Sequence, residues 1–358
     1  ILEASSVVLA TGGYSRVYNN YSTNSLSSTG DGIAAALRAG ARVSDMEFVQ
    51  FHPTALKGSS ILVSESARGA GGYLLNSKAE RFVDELLPRD EVSKAIHDEI
   101  AKGENIYLDI RHLGAEFIEK ELPQEAKLAK LYENVDPVHD LIPIKPAAHY
   151  TMGGVEVDSN SSTSIEGLLA AGECANHRVH GANRLGGNSL LELMVFGRQA
   201  GINAAKYAEN FSKESSIVKE KEFFESEIAE IKRCKNEINF YEKQAYLGEL
   251  FYKNVGVKRD EAALQETLKE VQEMKSALPW MGVSDKTKEY NTNLIEFLEF
   301  KNMLTVAETI LLGAISRQES RGAHFRVDFP TTDEKYRACL LYTSPSPRDR
   351  TRSRMPSS

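Results

Sequence analysis

Apolar residues fall into two regimes along this chain. In the first, short apolar runs end at glycine. Val7, Val8, Leu9 and Ala10 lead into Thr11-Gly12-Gly13. That pattern predicts a buried strand turning at paired glycines. Gly30-Asp31-Gly32 then opens Ile33 to Gly40, a helix with an acidic first turn and a glycine stop. Gly167 to Gly172 repeats the strand-then-glycine pattern, with Glu173 next, and Asn188 to Glu209 reads as a long helix. Between these, residues 48–148 mix short apolar runs with Gly and Pro breaks and read as an α+β segment.

The second regime starts at Lys213, where charges become dense and apolar residues take helical spacing. Leu264, Leu268, Val271, Met274 and Leu278 mark one stripe, ended by Pro279. A further helix over Leu294–Arg317 carries Leu298, Val306, Ile310 and Leu311. Lys213 to Gln318 is therefore expected to be an antiparallel helical bundle. No short-period repeat is present, and no apolar run approaches the span of a bilayer.

The chain has 358 residues and opens at Ile1 rather than Met, inside an apolar stretch. It reads as the continuation of a buried unit. Cys339 to Asp349 spells CLLYTSPSPRD, which back-translates to the common adapter of transposon-based sequencing libraries. Ser353–Ser358 resembles the adapter's continuation. Residues from Cys339 onward are accordingly read as translated adapter and set aside. That tail holds four arginines against one aspartate, a net +3, so the chain total of −8 leaves −11 on residues 1–338. An acidic body of this kind argues against a nucleic-acid partner. Any Arg/His cluster around a small anion is then a local feature. Outside the tail only Cys174 and Cys234 remain. Without CxxC or Cys/His spacing they argue for a reducing compartment. They also argue against a zinc site, and against an iron–sulfur cluster on four thiolates.

The glycine corners alone support little more than an α/β fold with room for a nucleotide. Glycine lets backbone approach a phosphate-bearing cofactor, and an acid accepts ribose hydroxyls, but the GxGxxG fingerprint is absent. The specific signal is a set of segments in fixed order. Phe51-His52-Pro53-Thr54 precedes Ser64-Glu65-Ser66-Ala67-Arg68-Gly69 and Arg89-Asp90. His149-Tyr150-Thr151-Met152-Gly153-Gly154 and Gly172-Glu173 follow, then His180-Gly181-Ala182-Asn183-Arg184-Leu185-Gly186-Gly187-Asn188-Ser189-Leu190-Leu191, and finally Glu319-Ser320-Arg321-Gly322-Ala323-His324. Over nearly all of residues 1–338 the chain resembles the flavoprotein subunit of the succinate dehydrogenase/fumarate reductase family. L-aspartate oxidase is its soluble cousin.

The resemblance implies an α/β FAD-binding domain, present in its C-terminal part only, with an inserted α+β capping domain and a C-terminal helical bundle. The implied units are residues 1–47 and 149–210 for the FAD-binding domain, 48–148 for the cap and 211–338 for the helices. It implies that one substrate carboxylate goes to His52 and Ser64 and the other to His149 and Arg184, whose planar fork suits a carboxylate. Arg89 is implied as proton donor and acceptor, with Glu65 and Arg68 as its relay, three residues apart on one helical face. FAD is implied at Ala10, Thr11, Gly12, Gly13, Asp31, Glu173, Ser189 and Leu190. The last two begin a helix whose backbone N–H groups favour negative charge on reduced flavin. No metal site is implied.

Taken one at a time, each residue has a plainer structural reading: a turn histidine, a surface ion pair, a helix-start salt bridge, an N-cap. Their order and neighbours favour the functional reading. Ser64 stands where the family usually has threonine, which keeps the hydroxyl. The family also implies an iron–sulfur partner subunit, a membrane-anchor subunit and a position on the cytoplasmic face of the inner membrane. L-aspartate oxidase and a non-catalytic docking subunit are the alternatives.

Overall fold

The structure, a computed structural model, describes residues 2–211 and 218–337, with Leu341–Tyr342 as backbone. The rest of the segment read as adapter lies outside the described residues. Along the chain the elements are β1 (Val7–Leu9), α1 (Asp31–Ala39), β2 (Val43–Ser44), β3 (Val49–Leu56), α2 (Glu65–Gly69), β4 (Tyr73–Leu75) and α3 (Arg89–Ala101). Next come β5 (Ile106–Asp109), α4 (Ala115–Glu121), α5 (Pro123–Tyr132), β6 (Ile142–Thr151), β7 (Gly154–Glu156), β8 (Leu168–Ala170), β9 (Ala175–Asn176) and α6 (Asn188–Glu209). Last are α7 (Val218–Arg233), α8 (Phe240–Asn254), α9 (Glu261–Ala277), α10 (Thr292–Ser316) and β10 (Leu341–Tyr342).

The two strand–glycine corners come together: β1 and β8 pair in parallel, Val8 against Leu169. A second sheet runs β10-β2-β7-β9 and a third, antiparallel, runs β3-β6-β5-β4. The architecture is thus α/β, with mixed sheets and helical regions. Local chemistry sets the helix ends. Gly40 closes α1 at φ +99°, with its N–H on the carbonyls of Ala36 and Leu37. Asn239, Asp260 and Asn291 cap α8, α9 and α10 by accepting from the backbone of Tyr241, Ala263 and Leu294.

Two large apolar clusters hold the molecule together. One, with Leu56, Leu74, Val92, Ile106, Leu108 and Ile144, lies within residues 48–148. The other joins Tyr18, Ile33 and Val49 to Phe251, Leu264, Phe300 and Ile310. The helices after residue 218 therefore do not stand apart as a bundle with a core of their own. The reason lies in α10, which buries ten residues, among them Phe297, Leu304, Val306, Ala307, Ile310 and Leu311. A helix apolar nearly all round needs neighbours on several sides, and α10 finds them in α9 and α1. Leu298, expected on its stripe, is only half-buried.

Candidate active site

Strand β3, the short helix α2, the start of α3, the end of β6 and the loop 180–187 converge on one place. Glu65 opens α2 and Arg68 lies one turn on, its Nη2 3.1 Å from Glu65 Oε1. Arg89, the first residue of α3, puts Nη2 2.8 Å from Glu65 Oε2. The carboxylate is thus gripped by two guanidiniums, one per oxygen. Burial works to raise the Glu65 pKa, but the hydrogen bond and charge of Arg89, with Arg68 behind, lower it on balance. Arg68 is 1% exposed and Glu65 43%, so the trio runs from the interior to the surface.

Two imidazoles face each other alongside, with His52 and His149 at 5.1 Å between ring centres. His52 Nδ1 is engaged by Thr54, 3.2 Å from its carbonyl and 3.3 Å from its N–H. His149 Nδ1 lies 2.7 Å from the Thr23 hydroxyl. Each ring therefore keeps Nε2 for a ligand. Burial pushes both pKa values down, helped at His52 by His149 and Arg89 and at His149 by Arg89 and Arg184. His149 comes to about 3, so the rings are neutral at physiological pH. Ser64 caps α2, its hydroxyl oxygen accepting from the Ser66 N–H and O–H. The Ser64 proton remains to donate.

Arg184 is buried on the 180–187 loop, with its guanidinium carbon 4.2 Å from the centre of the Tyr150 ring. The Nε of Arg184 and of Arg89 are buried without a hydrogen-bond partner among the described residues. Buried donors are rarely left so; Arg68 Nε, on the same trio, is a third. The loop also presses on the relay. A Cβ on Gly186 would meet Glu65 Oε2 at 2.9 Å and Arg89 Nη2 at 3.5 Å.

One further residue, not anticipated from the sequence, ties these parts. Gln50 is fully buried. Its Nε2 donates to Asn183 Oδ1 at 2.8 Å and to the Arg184 carbonyl at 2.7 Å, while its Oε1 accepts from Arg89 Nη1 at 3.1 Å. Asn183 in turn donates to Asp90 at 2.7 Å. Gln50 lies two residues before His52, but its partners are far away in sequence and nothing local signals them.

Of the residues expected to meet a cofactor, five lie at the β1/β8 corner. Ala10 to Gly13 follow β1, and Glu173 follows β8 across from them, so close that a Cβ on Gly13 would meet Glu173 Oε1 at 2.3 Å. Glu173 Oε1 accepts from both the N–H and the hydroxyl of Thr151, at 2.9 and 3.1 Å. Burial nevertheless pushes its carboxyl up to about 7. Thr11 packs on Gly32 of α1. Asp31 is next to that contact, but its carboxylate accepts from Asn302 of α10 at 2.8 Å. Ser189 and Leu190 sit in the first turn of α6, behind Gly187, which has φ +81° and offers no side-chain cap.

Residues 1–190 match the family described as FAD binding domain, and residues 244–354 match the one described as fumarate reductase flavoprotein C-term. The second match runs into the segment read above as adapter. A fumarate reductase flavoprotein subunit of Haemophilus influenzae is 38% identical over 93% of this chain and 60% of its own length. Among solved structures, a quinol fumarate reductase variant of Escherichia coli superposes with a TM-score of 0.89 at 36% identity, covering 95% of this chain and 65% of that one. The Sdh1 structure of Mycobacterium smegmatis in complex with UQ1 gives 0.82 at 38%, covering 95% and 59%. The chain spans about 60% of the length of the curated relatives it matches.

The residues present fit FAD. At Gly12, φ +72°, an added Cβ meets nothing within 4 Å, so backbone can be approached closely there. The uncapped first turn of α6 offers N–H groups to negative charge. On and beyond that turn Leu190, Leu191, Met194 and Val195 are 60–75% exposed, an apolar surface of the kind that marks a binding face. Among the described residues there is no group of three or more His, Cys, Asp or Glu that could hold a metal ion. The chain belongs to the flavoprotein subunits of the succinate dehydrogenase/fumarate reductase family.

Proposed function

We propose that this chain carries the site at which succinate and fumarate are interconverted with FAD. The observation that carries the reading is the Arg68–Glu65–Arg89 trio beside two neutral imidazoles and Arg184. It is a cationic pocket in an acidic chain, and it contains its own proton relay.

One carboxylate of the dianion is received by His52 Nε2 and the Ser64 hydroxyl, the other by His149 Nε2 and the Arg184 fork. Neutral imidazoles orient the substrate without adding charge, so the guanidiniums supply the electrostatic pull. Bound FAD supplies or accepts the hydride. Arg89 gives a proton to the carbon next to the one that gains the hydride. That balances fumarate plus hydride plus proton as succinate. Glu65, a carboxylate at rest, then takes a proton from Arg68 or from solvent and passes it to Arg89. In the reverse direction the same groups run backwards.

The unit boundaries stay those read from the sequence: residues 1–47 and 149–210 on the flavin side, 48–148 as cap and 211–338 as helices. The separate apolar cluster within 48–148 supports the second of these. Electrons pass on to, or come from, an iron–sulfur subunit and a membrane anchor. The names of the quinol-linked relatives support this, and it would make the chain peripheral to a membrane. No helix among the described residues is long and apolar enough to cross one.

The test is a dye-linked succinate assay of the FAD-loaded protein beside aspartate-dependent peroxide production. Dye reduction with succinate is expected. Peroxide from aspartate instead would move the reading to L-aspartate oxidase, and neither activity with FAD bound would favour a docking subunit.

A further inference from the structure

A buried network outside the relay approaches Arg184 from behind. The Tyr150 hydroxyl donates to Glu192 Oε2 at 2.7 Å. His180 Nε2 lies 2.8 Å from the same oxygen and 3.3 Å from the Tyr150 hydroxyl. His177 Nδ1 is 3.7 Å from Glu192 Oε1. Its Nε2 is 3.0 Å from the Ser161 hydroxyl, and its ring stacks on Phe196.

Glu192 is an odd residue in its surroundings. It sits on α6 between Leu190, Leu191, Leu193, Met194 and Val195, all substantially exposed, yet its own side chain is 3% exposed. A carboxylate turned inward from an apolar stretch costs desolvation unless donors meet it. Burial acts to raise its pKa, but nearby His177 and the hydrogen bonds with His180 and Tyr150 outweigh burial and bring it to about 2. At neutral pH it is a fixed negative charge, one phenol ring away from Arg184.

Arg184 depends on that ring. Among the described residues, the one hydrogen bond its guanidinium makes goes from Nη1 to the Leu185 carbonyl at 3.2 Å, and its Nε has no partner. The other side is the Tyr150 face. A phenol that donates to a carboxylate has a more electron-rich ring, and a richer face holds a cation more firmly.

We propose that Glu192, acting through the Tyr150 hydroxyl, is a positioning residue for Arg184. It fixes the aromatic ring beneath the guanidinium so that the fork meets the substrate carboxylate in one orientation. This rests on the assignment of Arg184 to that carboxylate. Neither Glu192 nor Tyr150 touches the reacting atoms.

The test uses the FAD-loaded protein with Glu192→Gln, Tyr150→Phe and the double substitution. Glu192→Gln keeps an acceptor and removes the charge; Tyr150→Phe keeps the ring and removes the hydroxyl. Both KM and kcat for fumarate are measured, with the Kd of malonate, a dicarboxylate that cannot be desaturated. Each single variant is expected to raise KM and the malonate Kd by about three- to tenfold, the range set by a weakened cation–π contact, with kcat within about twofold. The double variant should be no worse than the poorer single one, because both act along one path. Unchanged KM and Kd in Tyr150→Phe, with only a lowered Tm, would overturn the proposal and leave a structural tie between α6 and β6. That variant retains the ring, so it keeps the test decisive if Glu192→Gln fails to fold. A wild-type protein that neither binds malonate nor turns over a dicarboxylate would instead overturn the substrate class, and this inference with it.

Discussion

A guanidinium releases a proton reluctantly, so one that serves as an acid needs immediate replacement. Glu65 is placed for this, with Arg89 on one oxygen and Arg68 on the other. The backbone of Gly186 rests on that pair, and a Cβ there would meet Glu65 Oε2 at 2.9 Å. Gly186→Ala should therefore displace Glu65 from Arg89 and lower kcat for fumarate by about tenfold or more while the malonate Kd changes little. Steady-state kinetics with a binding titration checks this. The residues proposed as carboxylate grips and relay were legible as family motifs, since each sits in a run of matching neighbours. Gln50 and Thr23 were not, and Asn183 and Asp90 stood inside the motifs without a role. Gln50 meets Arg184 across 134 residues of chain, and a hydrogen bond over such a separation leaves no periodicity. Asp31 was legible as a motif residue, but its partner Asn302 was not.

Longer elements were readable where one physical rule governed them. The stripe Leu264, Val271, Met274 forms the buried face of α9, and α6 spans the residues its pattern implies. Strands of two residues such as β2 and β9 carry no alternation to read, because partners on other parts of the chain create them. The helical region shows the same limit. Its helices follow from spacing, but their attachment to α1 depends on the all-round apolarity of α10. Ile310 lies fully buried in that shared cluster. Ile310→Ala should cost about 2–5 kcal/mol, loosening both regions at once. A single cooperative transition at lower denaturant concentration is the expected outcome, and two separate transitions would argue for independent cores.

For the molecule as a whole, the chain is acidic at −8, yet the site gathers three guanidiniums, Arg68 and Arg89 on Glu65 and Arg184 on the Tyr150 ring. Buried histidines set a pH dependence of stability. His52, His149 and His324 all have pKa values depressed mainly by burial from an ordinary 6.5, His149 to about 3. The unfolded chain binds their protons first, so their stabilisation is complete above about pH 6.5 and is lost as pH falls below it. Glu173 runs the other way. Burial raises it from 4.5 to about 7, so between those values folding favours its protonated form and gains as pH falls. His97 is lowered in the same way, and Glu47 and Glu299 are raised mainly by burial as Glu173 is; four histidines against three carboxyls leave stability falling on acidification from pH 6.5 to 5. Denaturant titrations at pH 7, 6 and 5 check this, and His149→Gln should shallow the slope.

The central claim is that Arg89 delivers the proton, and the most direct measurement compares Arg89→Ala with wild type in the FAD-loaded protein, for fumarate turnover and malonate binding. The account predicts that kcat falls by a factor on the order of 10²–10⁴, the usual worth of a positioned acid, while malonate binding weakens far less. An Arg89→Ala protein that binds FAD and still turns over fumarate within about tenfold of wild type would contradict it.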